Sequence, residues 1–231
     1  MHQFEILTKT QLEKVHATSL RILEQIGVDF GYSPALEVLK KGGARVDGQR
    51  AFFTRGLVEE QIKKPPAEFT LYARNPEHNV VIGGRNTVFA PGYGAPFVTD
   101  LDNGRRKATL KDFENFVKLT GASANQDLLS GTVVEPTDVP AEIRHAQMLY
   151  TSVKYSDKCF MGSTMGARAA RECLQMASIL FGSRSDLASH PVIFGIVGAL
   201  TPLKYDARML EALMEYAAAG QPQIIASLAI A

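Results

Sequence analysis

Few residues of this chain combine a reactive side chain with a position that chemistry can use. Glu135, in the string Val133-Val-Glu-Pro136, is the carboxylate closing an apolar strand-like run, where it can pair with a substrate cation or move a proton; the alternative is a loop anchor for the helix that follows. Tyr93 stands between two glycines in Gly92-Tyr-Gly-Ala-Pro96, so mobile backbone on both sides can present its ring to a ligand, or the ring can plug the core. Ser163 and Thr164, the stretch from Thr201 to Tyr205, and Ser227 follow or end other apolar runs. Phe97 and Tyr205 are weaker aromatic candidates, equally suited to packing.

Other chemistries lack support. Gly83-Gly84 and Gly92-Tyr93-Gly94 match neither GxGxxG nor GxxxxGK[ST], so no nucleotide cofactor is indicated. There is no GxSxG, no HExxH and no clustered His/Cys set; His2, His16, His78, His145 and His190 are scattered. His145 falls within a helical pattern and reads as a packed or surface residue. Cys159 and Cys173 read as small core residues in a reduced protein.

The elements that position these residues show a change of pattern along the chain. Thr8 with Gln11 opens an amphipathic helix with Leu12, Val15, Ser19, Ile22, Leu23 and Ile26 on one face, stopped by Gly27. A second helix runs from Ser33-Pro34 to Gly42-Gly43, and a third from Thr54 to Pro65-Pro66. Short β-type pieces at 27–30, 45–53 and 68–73 separate them, so residues 1–78 are expected to form a small α+β region. Asn103-Gly104, between 97–101 and 105–109, predicts a two-residue hairpin turn with both central residues at positive φ. Thr109 with Asp112 caps a helix closed by Gly121.

Beyond it, apolar strands begin near Gly131, Lys158, Pro191 and Pro222, with helices expected over 139–155, 167–181 and 206–219. Strand and helix alternating about every 30 residues predict parallel βαβ units of a (β/α)8 TIM barrel over 79–231. Reacting groups in such barrels lie at the C-terminal strand ends, which is why position selects Glu135, Ser163, Thr164, Thr201, Tyr205 and Ser227.

The 231 residues carry 25 Lys and Arg against 24 Asp and Glu, with 45% apolar content. That balance offers no basic face for nucleic acid. The longest wholly apolar run, Leu228–Ala231, is too short to cross a bilayer, and no signal pattern opens the chain, so a cytoplasmic protein is expected. A complete barrel takes about 250 residues. Residues 79–231 therefore account for roughly half of one, and ending inside an apolar strand predicts an edge that a second chain, such as another copy, would cover.

The strings FAPGYGAPFVTDLDNGRRKATLKDFENFVKLTG, VVEPTDVPAEIRHAQMLYTSVKYSDKCFMGS and LTPLKYDARMLEALMEYAAAGQPQIIASLAIA resemble the trimethylamine methyltransferase family, as does the opening ILEQIGVDFGYSPALEVLKKGGARVDGQRAFF. The resemblance covers essentially the whole chain. It implies a TIM-barrel enzyme, here its N-terminal half, that moves a methyl group from trimethylamine or a quaternary amine such as glycine betaine to the Co(I) of a corrinoid (cobalamin). The corrinoid is implied on a separate partner protein, with none bound directly. Some family members use a pyrrolysine in their C-terminal half, beyond the last residue here. A quaternary ammonium has no hydrogen to donate, so Tyr93, Phe97, Tyr205 and Glu135 are candidates for its recognition through ring faces and charge, with Ser163 and Thr201 as further substrate contacts. A non-catalytic quaternary-amine binder, an inactive fragment and a barrel lyase using Glu135 as base are the competing readings.

Overall fold

A computed structural model describes residues 6–200 and 202–227. The chain divides into two compact units, one comprising Met1–Ala67, Gly198–Glu211 and Ile225–Ala231, the other Glu68–Val197 and Ala212–Ile224.

In the first unit, Thr8 caps α1 (Lys9–Gln25) in the expected capping box with Gln11. The apolar stripe of α1 is used only at one end: Leu20 is buried, whereas Leu12 and Val15 are more than half exposed. Gly27 ends the helix at φ +72°, where a Cβ would meet the Ala51 carbonyl oxygen at 2.6 Å. β1 (Val28–Phe30) and α2 (Ser33–Lys41) follow. The expected single β-piece over 45–53 is a tight hairpin, β2 (Arg45–Asp47) and β3 (Arg50–Phe52), turning through Gly48 at φ +57°. α3 (Arg55–Gln61) ends well short of Pro65.

The sheet order is β10-β1-β3-β2, in which β10 (Lys204–Tyr205) joins β1 in parallel. A bidentate ion pair between Arg50 and Asp29, at 2.7 and 2.9 Å, ties β3 to β1 and holds the Asp29 carboxyl below its ordinary range.

The second unit begins with the antiparallel pair β4 (Glu68–Leu71) and β5 (Val80–Gly83), separated by a 3₁₀ turn at Pro76–His78. β6 (Phe97–Asp100) and β7 (Gly104–Lys107) form the expected hairpin, but Asp100 pairs with Gly104 across a three-residue loop. Gly104 alone takes positive φ, and the Asp100 carboxylate accepts the Asp102 and Asn103 amides, so this side chain supplies the turn's hydrogen bonds.

Thr109 and Asp112 cap α4 (Leu110–Ala122) as expected, and the helix runs one residue past Gly121. α5 (Ala141–Tyr155), α6 (Ala167–Phe181), the short α7 (Arg184–Leu187) and α8 (Ala207–Ala218) are the remaining helices among the described residues. β8 (Phe160–Met161) runs parallel to β9 (Ile193–Ala199), and β11 (Gln223–Ser227) completes a sheet ordered β11-β9-β8. The expected strand over 131–136 does not form. That segment makes one parallel bridge, Val134 to Ala95, flanked by bonds from Gly94 to Thr132 and from Glu135 to Ala95. The next rung would use the amides of Phe97 and Thr137, but Phe97 pairs with Lys107 in the β6–β7 hairpin and the Thr137 amide donates to the Ala108 carbonyl, so the ladder stops after a single rung.

Alternation along the strands sorts side chains onto two faces. Leu129, Phe160 and Ile193 pack with Phe113, Leu149, Cys173, Leu174 and Tyr216 from the helices, while their neighbours Leu128, Cys159 and Phe194 pack against Leu71 and Val80 of the β4–β5 pair. This is a mixed α/β architecture containing a parallel βαβ unit, β8-α6-β9. Among the described residues the sheet does not close on itself. None of their helices is long and apolar enough to cross a membrane.

Candidate functional site

The second unit forms a cavity of about 550 Å³, open to solvent on one side, between the β4–β5 pair, the 88–93 loop and one face of the parallel sheet. Phe69, Tyr93 and Phe194 contribute rings to its wall, Met161 and Ile196 add apolar surface, and no charged side chain among the described residues lines it. Ser130 also lines it; the residue is 5% exposed, and its hydroxyl oxygen finds no hydrogen-bond partner among the described residues. A space of this size and polarity suits a small molecule with methyl or methylene surface, held by dispersion and ring faces and oriented by one or two oxygens. Tyr93 is the sequence candidate that the fold brings here. It stays half exposed, on a loop pinned by the Gly94–Thr132 backbone bond.

Ser163 and Thr164 lie just past the C-terminal end of β8. The Thr164 hydroxyl donates to the Ile196 carbonyl at 2.8 Å, and Ser163 Oγ accepts the Met165 amide at 3.3 Å. Neither lines the cavity, although Met161 two residues earlier does. Glu135 is ion-paired with Arg144 of α5, whose guanidinium also donates twice to the Val139 carbonyl. The carboxylate thus ties the 131–136 segment to the start of the next helix.

The other candidates are dispersed. The Phe97 ring lies under the Arg105 guanidinium at 3.8 Å on the β6–β7 hairpin. Tyr205 belongs to the first unit, where its ring stacks on Phe30 at 5.5 Å and burial raises its phenol pKa. Thr201 lies outside the described residues, and Ser227 is the last residue of β11.

His145 is packed, with Nε2 2.5 Å from a Glu172 carboxylate oxygen. Both cysteines are free and buried, and burial pushes their thiols up to about 12 for Cys159 and about 11 for Cys173.

Sequence reading missed Ser130, Phe69, Phe194 and Met161. The one available signal was alternation: Leu128 and Ser130 share a face, as Cys159 and Met161 do, opposite Leu129 and Phe160. Nothing local indicated that a β4–β5 hairpin would be set against that face.

A family model described as trimethylamine methyltransferase (MTTB) matches residues 1–231. A glycine betaine methyltransferase of Desulfitobacterium hafniense (strain Y51) is 56% identical over 229 residues, covering 99% of this chain and 48% of its own length. The trimethylamine methyltransferase MttB of D. hafniense (strain DSM 10664 / DCB-2) is 28% identical over 92% of this chain and 43% of its own length. The crystal structure of a hydroxylamine complex of MtmB superposes with a TM-score of 0.62 at 11% identity, covering 96% of this chain and 46% of that one, a likeness of fold. The chain thus spans about half the length of the curated relatives it matches.

Proposed function

The chain belongs to the trimethylamine methyltransferase family, and from that premise we propose that it serves an enzyme moving a methyl group from a quaternary amine, glycine betaine first, to the Co(I) of a corrinoid protein. The observation that carries this reading is the 56% identity, sustained over 99% of the chain, to a glycine betaine methyltransferase. We read β8-α6-β9-α8-β11 as successive units of a (β/α)8 barrel.

The uncharged cavity is compatible with the substrate's methylated end. A quaternary nitrogen offers no N–H, so Phe69, Tyr93 and Phe194 would hold it by ring faces, each contact contributing about 0.5 to 2 kcal/mol. Leu71, Ile82 and Val88 would shield the methyl groups from water on the buried side, and the shape of that wall would fix their direction. The Ser130 hydroxyl, unpartnered on the cavity wall, is the hydrogen-bonding group we assign to the polar end of the substrate, with Ser163, outside the cavity in the loop after β8, as a further contact for that end; the Thr164 hydroxyl is taken by the Ile196 carbonyl.

Among the described residues no three His, Cys, Asp or Glu side chains converge, and His78, His145 and His190 are engaged by Asp157, Glu172 and Ser189. The reading places the corrinoid, whose ring supplies its own equatorial cobalt ligands, on a separate carrier protein, in line with relatives named as corrinoid methyltransferases. When that carrier docks, its corrinoid supplies the nucleophile; a neutral amine is the leaving group.

The test is methyl transfer from glycine betaine, trimethylamine, proline betaine and carnitine to a Co(I) corrinoid protein. Glycine betaine is expected to be demethylated, and Tyr93→Ala to lower kcat/KM about 2- to 30-fold. Absence of transfer from all four substrates overturns the reading, and an unchanged Tyr93→Ala removes the cavity from it.

A further inference from the structure

Ser163 is gripped from beneath by two buried side chains of different helices. Its amide donates to the Cys173 Sγ of α6 at 3.4 Å, and its carbonyl accepts the Tyr216 hydroxyl of α8 at 3.0 Å. Both of these residues are 0% exposed, and the phenol also interacts with the thiol. The preceding Gly162 makes room for the arrangement: a Cβ there would come within 2.1 Å of the Tyr216 oxygen. Above the grip, Ser163 Oγ takes the Met165 amide and Thr164 Oγ1 reaches β9, so the whole 162–165 loop is wired in place.

Phenylalanine and alanine would satisfy the surrounding apolar core at 216 and 173 without burying a hydroxyl or a thiol. The polar atoms at these positions are directed at the backbone of one residue, which follows the C-terminal end of a parallel strand, where barrel folds place ligand contacts. We propose that Tyr216 and Cys173 are positioning residues that clamp Ser163 by both its backbone groups and hold the loop after β8 in ligand-ready geometry. The inference rests on the reading above, in which this strand end carries substrate contacts.

The test compares the wild-type chain with Tyr216→Phe, Cys173→Ala and Cys173→Ser. Hydrogen exchange over residues 160–167, thermal unfolding and calorimetric titration with glycine betaine are the three measurements. Positioning predicts exchange about fivefold faster in Tyr216→Phe and Cys173→Ala, and near wild type in Cys173→Ser, which keeps an acceptor for the Ser163 amide.

A merely structural role predicts the opposite ranking, because alanine suits the apolar surroundings better than serine. That ranking, or unchanged exchange in Tyr216→Phe, overturns the proposal. Betaine affinity should fall about fivefold in the same two variants and recover in Cys173→Ser; affinity that tracks unfolding temperature instead also overturns it. A wild-type chain that binds no betaine defeats the substrate reading, and the exchange ranking then still decides the clamp.

Discussion

Lys158 shows how much one side chain can carry away from any reaction. The residue is 5% exposed, and its ammonium donates to the carbonyls of Thr120, Ser123 and Gln126 at 3.0, 2.6 and 2.6 Å. These carbonyls lie at and beyond the last turn of α4, where helices leave acceptors without intrahelical partners, and the cation also complements the negative end of the helix dipole. Lys158→Met fills similar space but removes the donor to the Ser123 and Gln126 carbonyls, while Thr120 keeps the Ser123 amide, so urea denaturation should show a loss of about 2 to 4 kcal/mol. A loss below about 1 kcal/mol would mean that water replaces the ammonium. In the sequence Lys158 read only as the polar start of an apolar strand, because its partners lie more than 30 residues away. Tyr93 was legible as a ring on an exposed, adaptable loop because two glycines flank it, and the fold sets that ring at the cavity wall. Ser130 was not, since an unpartnered hydroxyl becomes notable only once the wall around it exists.

At the scale of elements, α4 and the hairpin before it act together. Asp112 accepts from the Thr109 amide and hydroxyl, and its two oxygens also take the Arg106 guanidinium at 2.6 and 2.8 Å. Arg106 reaches Asp100 as well, so β6, β7 and the helix start share one charge network. The Arg106 guanidinium holds the Asp112 carboxyl far below the ordinary carboxylate range. A carboxyl with a depressed folded-state pKa contributes stability that is present above its unfolded value, near 4, and is lost as pH falls below it. The unfolding temperature should therefore hold steady from pH 7 to about 5 and drop as pH falls toward 3, with Asp112→Asn flattening that slope. A slope identical in the variant would remove Asp112 as its source. The cap itself was legible because Thr109 and Asp112 are three residues apart and act locally. The strand expected over 131–136 was misread because apolar β-formers announce a strand, whereas a ladder also needs a partner whose next groups are not already paired elsewhere, as Phe97 is with Lys107 and the Thr137 amide is with Ala108.

For the molecule as a whole, the sheet ordered β11-β9-β8 ends at β11, which is an edge strand among the described residues. Ile224 and Ile225 of that strand are 46% and 66% exposed. Unpaired backbone groups bordered by apolar side chains invite pairing with another chain. Sedimentation of the 231-residue chain should reveal concentration-dependent association that Ile225→Lys suppresses. Association unaffected by the lysine would place the contact elsewhere. Parallel βαβ order was legible from strands and helices alternating about every 30 residues. The parallel pairing of β10 with β1 was not, because it joins Asp29 to Lys204 with no local signal at either end.

What the amino-acid order determined by itself is whatever depends on neighbours within a few residues. The Thr8 and Thr109 caps, the glycine stops, the alternation of apolar strands with amphipathic helices, and family membership through long matched strings are all of this kind. Only the tertiary structure decided which side chains share a space. It set Phe69, Tyr93, Ser130 and Phe194 around one cavity, gave Glu135 to Arg144, stacked Tyr205 on Phe30, and closed Tyr216 and Cys173 on Ser163. The physical reason is that hydrogen bonding in caps and turns is local along the chain, whereas burial and cavity shape arise from contacts between distant segments, for which a single sequence carries no positional code.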